Sequence, residues 1–184
     1  MPLATKLVAE RKTRRILGAQ IIGPGNASRR IDIATSLLTF GATVDQLANL
    51  DVAYAPPFSP ALDTITTAAN VLRNRLDGTT RALSFSQLKE KLDRGDDLVI
   101  LDVRLPIEIE MEGRISGDHF AAIPLGELRS RLDEIPRNKE IVTVCKVGLR
   151  AYEAERILCG AGFANVGFLD GGITLWPYGM KTSG

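Results

Sequence analysis

The apolar run Ile141-Val142-Thr143-Val144 ends at Cys145, and Lys146, Gly148 and Arg150 follow within five residues. The run has the length and β-branched content of a strand buried on both faces of a parallel sheet. A helix is expected to start near Arg150. A cysteine at the carboxyl end of such a strand lies where open α/β sheets place their ligands. The N–H groups of a short strand-to-helix loop make an anion-binding nest and set the sulfur against the positive end of the helix. Lys146 and Arg150 add positive charge. Each of these effects favours the thiolate, which is the nucleophilic form of cysteine. The chemistry implied is attack by Cys145, with Lys146, Val147, Gly148, Leu149 and Arg150 as the substrate-binding loop. The competing reading is a buried structural cysteine, a common fate for a free thiol. Two flanking cations and Gly148 favour the reactive one. Cys159 stands among Ile157, Leu158 and Ala161 without a cationic loop, and reads as core.

The elements that must position this loop follow an α/β alternation. Residues 98–101 and 165–169 read as further buried strands. Ser84, with Gln87 at the capping-box position, opens a helix over 85–92. Residues 127–132 suggest a short helix, and 152–161 a longer one closed by Gly162. Asp102 and Arg104 follow the first buried strand and are expected to brace the loop, or simply to form a buried ion pair. The N-terminal part reads as strands at 3–10 and 15–22, joined by the charged turn Glu10 to Arg14. A helix over 28–40 follows, then a short one over 44–50 capped by Thr43, a proline-rich loop, and a helix over 61–76. The polar stretch after Leu76 marks a boundary. The expected domains are 1–78 and 83–184, with 79–82 as linker.

Composition excludes several classes. The 184 residues are 45% hydrophobic and 24% charged, with a formal net charge of +1. That balance gives no field for nucleic acid or an anionic membrane. No apolar run approaches the ~20 residues of a membrane span, and the N-terminus does not read as a signal peptide. Two cysteines fit a reducing cytoplasm. One histidine, His119, with two cysteines cannot assemble the usual zinc spacings. His119 reads as a solvent-facing loop residue. Gly23-Pro24-Gly25 lacks the third glycine of a dinucleotide fingerprint, since position 28 is Ser.

Residues from about 83 to 178 resemble a single rhodanese domain. The resemblance is carried by Leu101-Asp102-Val103-Arg104, Glu108, Gly113-Arg114-Ile115-Ser116-Gly117, Ile123-Pro124-Leu125, the Cys145 to Arg150 loop, and Asp170-Gly171-Gly172-Ile173 with Trp176. It implies a parallel sheet with flanking helices and a sulfurtransferase whose Cys145 carries a persulfide. Sulfur would come from thiosulfate or a persulfide and pass to a thiol or cyanide. Lys146 and Arg150 would steer an anionic donor, while Asp102, Arg104 and Arg114 would support the loop. The six-residue loop is the size of sulfur-transferring members. Related phosphatase-type loops carry one more residue, so phosphatase activity is the weaker enzyme alternative. Arg114 stands where a histidine is frequent, and 117–124 is longer than usual, which implies a bulge there.

Residues 1 to about 76 resemble the dimerisation domain of pyridine nucleotide-disulfide oxidoreductases. Arg15-Ile16-Leu17-Gly18-Ala19-Gln20-Ile21-Ile22-Gly23, Arg30-Ile31-Asp32 and Tyr54-Ala55-Pro56-Pro57-Phe58-Ser59-Pro60 carry that likeness. The fused arrangement is similar to the CoA-disulfide and persulfide reductase group, whose flavin and nicotinamide domains come first. This chain resembles the last third of such an enzyme. The resemblance implies a small α+β domain, a homodimer with Tyr54 and Phe58 at its interface, and a flavoprotein reductase as a further partner. No cofactor and no reductase activity are expected of the chain alone. A non-catalytic dimerisation or sulfur-relay module is the second reading.

Overall fold

The computed structural model describes residues 3–24, 26–56, 60–117 and 119–181. The chain divides into two compact units, Met1–Thr79 and Thr80–Gly184. In the first unit, Ala4–Ala9 (β1) pairs antiparallel with Ile16–Ile22 (β2). The charged turn between them is closed by Arg14 N–H donating to Glu10 O and Glu10 N–H to Arg15 O, both 2.9 Å. Three helices follow: Ala27–Thr39 (α1), Val44–Ala48 (α2) and Thr64–Leu76 (α3). Their apolar faces join β2 in a core of Ile16, Ala34, Val44, Leu47, Ile65 and Ala69. Thr43 and Gln46 form the reciprocal cap at the start of α2.

Helix α3 begins three residues later than the sequence pattern suggests. Asp63 is its cap: Oδ1 accepts the Ile65 N–H at 3.1 Å and meets buried Arg30 Nε at 2.9 Å. That partner stands 33 residues upstream, so periodicity cannot announce it. Pro57, Phe58 and Ser59 of the proline-rich loop lie outside the described residues.

The second unit opens with Ala82–Leu83 (β3), Phe85–Arg94 (α4), Leu98–Asp102 (β4), Pro106–Glu112 (α5), Arg114–Ile115 (β5) and Phe120–Ala122 (β6). Glu140–Val144 (β7), Leu149–Gly160 (α6), Val166–Leu169 (β8) and Met180–Lys181 (β9) complete it. Five strands make one parallel sheet in the order β3-β8-β7-β4-β6, and β5 pairs with β9 in a separate antiparallel ribbon. Side chains alternate across the sheet. Val99, Leu101 and Ile141 join the core that includes Ala151, Ala154 and Leu158 of α6. Leu98, Ile100, Val142 and Val144 join the opposite core with Leu88 of α4 and Trp176. Both faces are covered, which is why these strands read as continuous apolar runs.

Two expectations are corrected here, and one helix goes beyond them. The short helix over 127–132 is a pair of 3-10 turns, Leu128–Ser130 and Leu132–Glu134. Helix α5 was not apparent from the sequence, because Ile107-Glu108-Ile109-Glu110-Met111-Glu112 alternates like a strand. Pro106 at its first position and Glu108 accepting the Leu105 N–H at 2.9 Å start the helix instead. Most of the 79–82 segment, read as linker, is held in the second unit. The carboxylate of Glu155, buried on α6, accepts Thr80 Oγ1 at 2.6 Å and the Arg81 N–H at 2.7 Å. Among the described residues, no helix is long and apolar enough to cross a membrane.

Glu155→Ala removes the acceptor of two part-buried donors. It should destabilise the second unit by about 2 kcal/mol in urea unfolding, the cost of orphaned donors; an unchanged midpoint would refute that role.

Candidate functional site

Cys145 directly follows β7. Period-two alternation sends its side chain to the face of Ile141 and Thr143, the α6 side of the sheet. Thr143 Oγ1 donates to Ala151 O at 2.7 Å and ties β7 to the first turn of α6. Gly148 takes the turn between strand and helix with φ 100, a conformation that side chains disfavour. Its N–H donates to Cys145 Sγ at 3.1 Å. The sulfur therefore sits at the positive end of a twelve-residue helix.

The loop is held from outside by its carbonyls. Ile173 N–H donates to Cys145 O at 3.0 Å, and Thr174 donates to Lys146 O through its N–H at 3.0 Å and its hydroxyl at 2.8 Å. These contacts require Gly172. A Cβ there would lie 2.5 Å from Cys145 O and 2.6 Å from Lys146 C, and its φ is 60. Gly171 and Gly172 are thus site residues by backbone alone. The signal in the sequence was a paired glycine after a buried strand. Gly172→Ala should lower stability by about 2 kcal/mol, through overlap and strain. It should also slow alkylation or persulfidation of Cys145; a variant with parent stability and reactivity would contradict this account.

Cys145 is completely buried. Burial alone would suit a structural thiol, as at half-buried Cys159, where desolvation pushes the thiol above its ordinary pKa. The Gly148 N–H and the helix end are what distinguish Cys145.

Charge around the loop is balanced. Lys146 is ion-paired with Glu112. Arg150 holds Glu108 with both terminal nitrogens, at 2.8 and 2.7 Å. Arg104 is fully buried and grips Asp102 through Nε at 2.9 Å and Nη2 at 2.6 Å. Its Nη1 reaches Glu112 at 3.1 Å and its Nη2 the Gly113 carbonyl at 2.8 Å. Burial alone would lower Arg104, but its hydrogen bonds with Asp102 and Glu112 hold it above the ordinary guanidinium range. Lys146 and Arg150, expected to steer an anionic donor, are each paired with a carboxylate. Glu112 was missed in the sequence, although it stands one helical turn beyond Glu108.

The remaining candidates fall elsewhere. Arg114 lies over the Phe120 ring at 4.3 Å rather than on the loop. His119 is exposed beside Lys139 at 3.0 Å, at the amino end of β6, the opposite end of the sheet from Cys145. Asp118, in the stretch expected to bulge, is outside the described residues, as is Phe58. Tyr54 is exposed in the first unit. Among the described residues, no group of acidic, histidine and cysteine side chains could hold a metal ion.

Residues 84–177 match the rhodanese-like domain family, and residues 1–66 match the dimerisation domain of pyridine nucleotide-disulphide oxidoreductases. The chain belongs to the rhodanese-like domain family. A sulfurtransferase of Allochromatium vinosum is 33% identical over 89 residues, covering 48% of this chain and 80% of that protein. A NAD-dependent persulfide reductase from A. fulgidus matches with TM-score 0.83 and 48% identity, over 95% of this chain and 30% of the reductase. The CoADR-RHD protein of Bacillus anthracis matches with TM-score 0.87 and 34% identity, again over 95% and 30%. The chain is a rhodanese-like domain fused to a dimerisation domain, related to reductases of this type, and it spans under a third of those two chains.

The Arg150–Glu108 pair is a measurable support of the rhodanese loop. The hydrogen bonds from Arg150 lower the Glu108 carboxyl from 4.5 to about 2. A depressed carboxyl contributes stability that is fully present above its unfolded value and lost as pH falls through its folded one. The stability difference between the parent and Glu108→Gln should hold steady above about pH 4.5 and vanish by about pH 2. A difference independent of pH over that window would show that the pair does not form.

Proposed function

We propose that this chain is a sulfurtransferase that works through a persulfide on Cys145. The observation that carries the reading is the Gly148 N–H on Cys145 Sγ at the amino end of α6. The family supports sulfur relay in general. The choice of cysteine, donor and acceptor is inferred.

In the first half-reaction, the Cys145 thiolate attacks the outer sulfur of a donor such as thiosulfate or a persulfide. The new S–S bond forms as the donor's bond to that sulfur breaks, and the pair leaves on sulfite or on a thiolate. Cys145 then carries the transferred sulfur as a persulfide anion, facing the loop N–H groups and the helix end. In the second half, a thiolate or cyanide attacks this outer sulfur and leaves as a persulfide or thiocyanate. The Cys145 thiolate is restored, and no electrons are gained or lost overall. Asp102, Arg104, Glu108 and Glu112 keep the loop in place and touch no reacting atom. Lys146, Val147, Gly148, Leu149 and Arg150 form the cradle.

A second reading has one specific support, the match of residues 1–66 to a dimerisation domain within chains of which this one spans 30%. In it, the first unit makes a homodimer, with Tyr54 and Phe58 near the interface, and the second passes sulfur to a flavin-dependent reductase. The protein acts in the cytoplasm in both readings.

Intact-protein mass spectrometry after incubation with thiosulfate or polysulfide tests whether Cys145 accepts sulfur. One added sulfur is expected in the parent and in Cys159→Ser, released by cyanide, with none in Cys145→Ser. Absence of the adduct in every form would leave the module reading.

A further inference from the structure

We propose that Thr174 is a positioning residue for sulfur transfer, whose hydroxyl aims the Val147 N–H at the outer sulfur of a Cys145 persulfide. The inference rests on the reading of Cys145 as the sulfur acceptor and adds to it a residue outside the loop.

The 3-10 turn Ile173–Leu175 starts after Gly172 with no side-chain cap. The first N–H groups of such a turn have no partner within it. Here Ile173 N–H donates to Cys145 O and Thr174 N–H to Lys146 O, both at 3.0 Å. The loop carbonyls therefore cap the turn. A trans peptide is planar, so its N–H points opposite to its C=O. With the carbonyls of Cys145 and Lys146 held on the turn, the N–H groups of Lys146 and Val147 point away from it. Neither has an acceptor among the described residues.

A persulfide needs such groups. Gly148 N–H is already committed to Cys145 Sγ at 3.1 Å. The outer sulfur lies one S–S bond, about 2 Å, farther on, and it carries the negative charge. Besides Gly148, the helix and the loop offer two sets of donors. The first N–H groups of α6 are oriented by the helix itself. Those of Lys146 and Val147 are oriented by what holds the carbonyl before them.

The two carbonyls are held differently. Cys145 O is met by one main-chain donor, the Ile173 N–H, which any residue but proline supplies. Lys146 O is met by two, the Thr174 N–H and the Thr174 hydroxyl at 2.8 Å. The second depends on which residue stands at 174. Two donors fix a carbonyl more tightly than one, and with it the N–H across the same peptide. The Lys146 ammonium has a separate anchor, Glu112. Thr174 is exposed, so water can serve its hydroxyl and the bond to Lys146 O adds little to folding. What it adds is direction, and Thr174 touches no reacting atom.

The test compares two reactions of Cys145 in the full chain, with Cys159→Ser as background so that one thiol reacts. Thiosulfate gives the persulfide: the thiolate takes the outer sulfur, and sulfite leaves with the bonding pair. Iodoacetamide alkylates the same thiolate but places no sulfur anion beyond Sγ. Both rates are followed by intact mass, and their ratio isolates the donors to the outer sulfur. Thr174→Val keeps the side-chain shape and the main-chain bond and removes the hydroxyl. It should lower the ratio of persulfidation to alkylation by about tenfold, as expected for losing one aimed donor to a charged atom. Thr174→Ser, which restores the hydroxyl, should recover most of the ratio. Persulfidation should also move the Val147 amide proton downfield in the parent, and much less in Thr174→Val. A Cys145 persulfide with a ratio unmoved by Thr174→Val, or lowered as much by Thr174→Ser, would overturn the role of Thr174 and leave the sulfurtransferase reading intact. No Cys145 persulfide in the parent would overturn that reading, and this inference with it.

Discussion

The direction of the peptide groups around Cys145 is the constraint on which the rest of this site depends. A thiol sulfur is a weak hydrogen-bonding atom, so it is placed by its backbone. Between β7 and α6 the chain must turn from strand to helix in four residues, 145–148, and each peptide unit has to point one way or the other. The Ile173 and Thr174 donors take the carbonyls of Cys145 and Lys146 on the outside. Gly148 takes a backbone conformation that leaves its N–H on Sγ. The glycine at 172 follows from this, because that close approach leaves no room for a Cβ there, while a Cβ at Gly171 would meet Leu175. Sequence, turn geometry and chemistry meet at positions that contribute no functional group.

Electrostatics forms a second layer, built on α5. The Asp102–Arg104 pair is buried, and such a pair stabilises only when its other lone pairs and protons are satisfied. Here they are, through the Arg104 N–H on Asp102 and through Glu112 and the Gly113 carbonyl. The same contacts fix the carboxyl end of α5 against the sheet. With that end fixed, Glu108 and Glu112 are delivered to Arg150 and Lys146 on the loop. The buried pair thus acts on the loop at one remove, by deciding where a short, otherwise weak helix sits.

The sheet, the strand-to-helix loop at Cys145 and most helices were legible in the sequence because they rest on local pattern. Residues 98–101 and 141–144 are continuous apolar runs, Thr43 and Ser84 are caps with glutamine three residues on, and the Cys145 loop is six contiguous residues. Legibility failed where a distant partner decides. Asp63 caps α3 while paired to Arg30, and Glu155 fastens Thr80 and Arg81 across some 75 positions of chain. Helix α5 was hidden by its own alternation of isoleucine and glutamate. With it were hidden the carboxylates that engage Lys146 and Arg150, which is why those two cations looked free in the sequence. Arg114 was expected at the loop from the family resemblance, and its guanidinium lies over the Phe120 ring.

Charge balance also bears on which group this loop can carry. Three cations, Arg104, Lys146 and Arg150, face three carboxylates, Asp102, Glu108 and Glu112. Moving a sulfane sulfur onto a thiolate leaves the charge on the cysteine unchanged, one negative before and one after. The surrounding pairs need not break or rearrange, and the N–H groups that met the thiolate can meet the outer sulfur. A phosphoryl group on the same cysteine would bring about two negative charges and three acceptor oxygens. It would have to strip Lys146 and Arg150 from their carboxylates, leaving Glu108 and Glu112 beside a dianion. The compensation already present around Cys145 therefore suits a transfer that carries no charge, which agrees with the short loop and weighs against phosphate chemistry in the same frame.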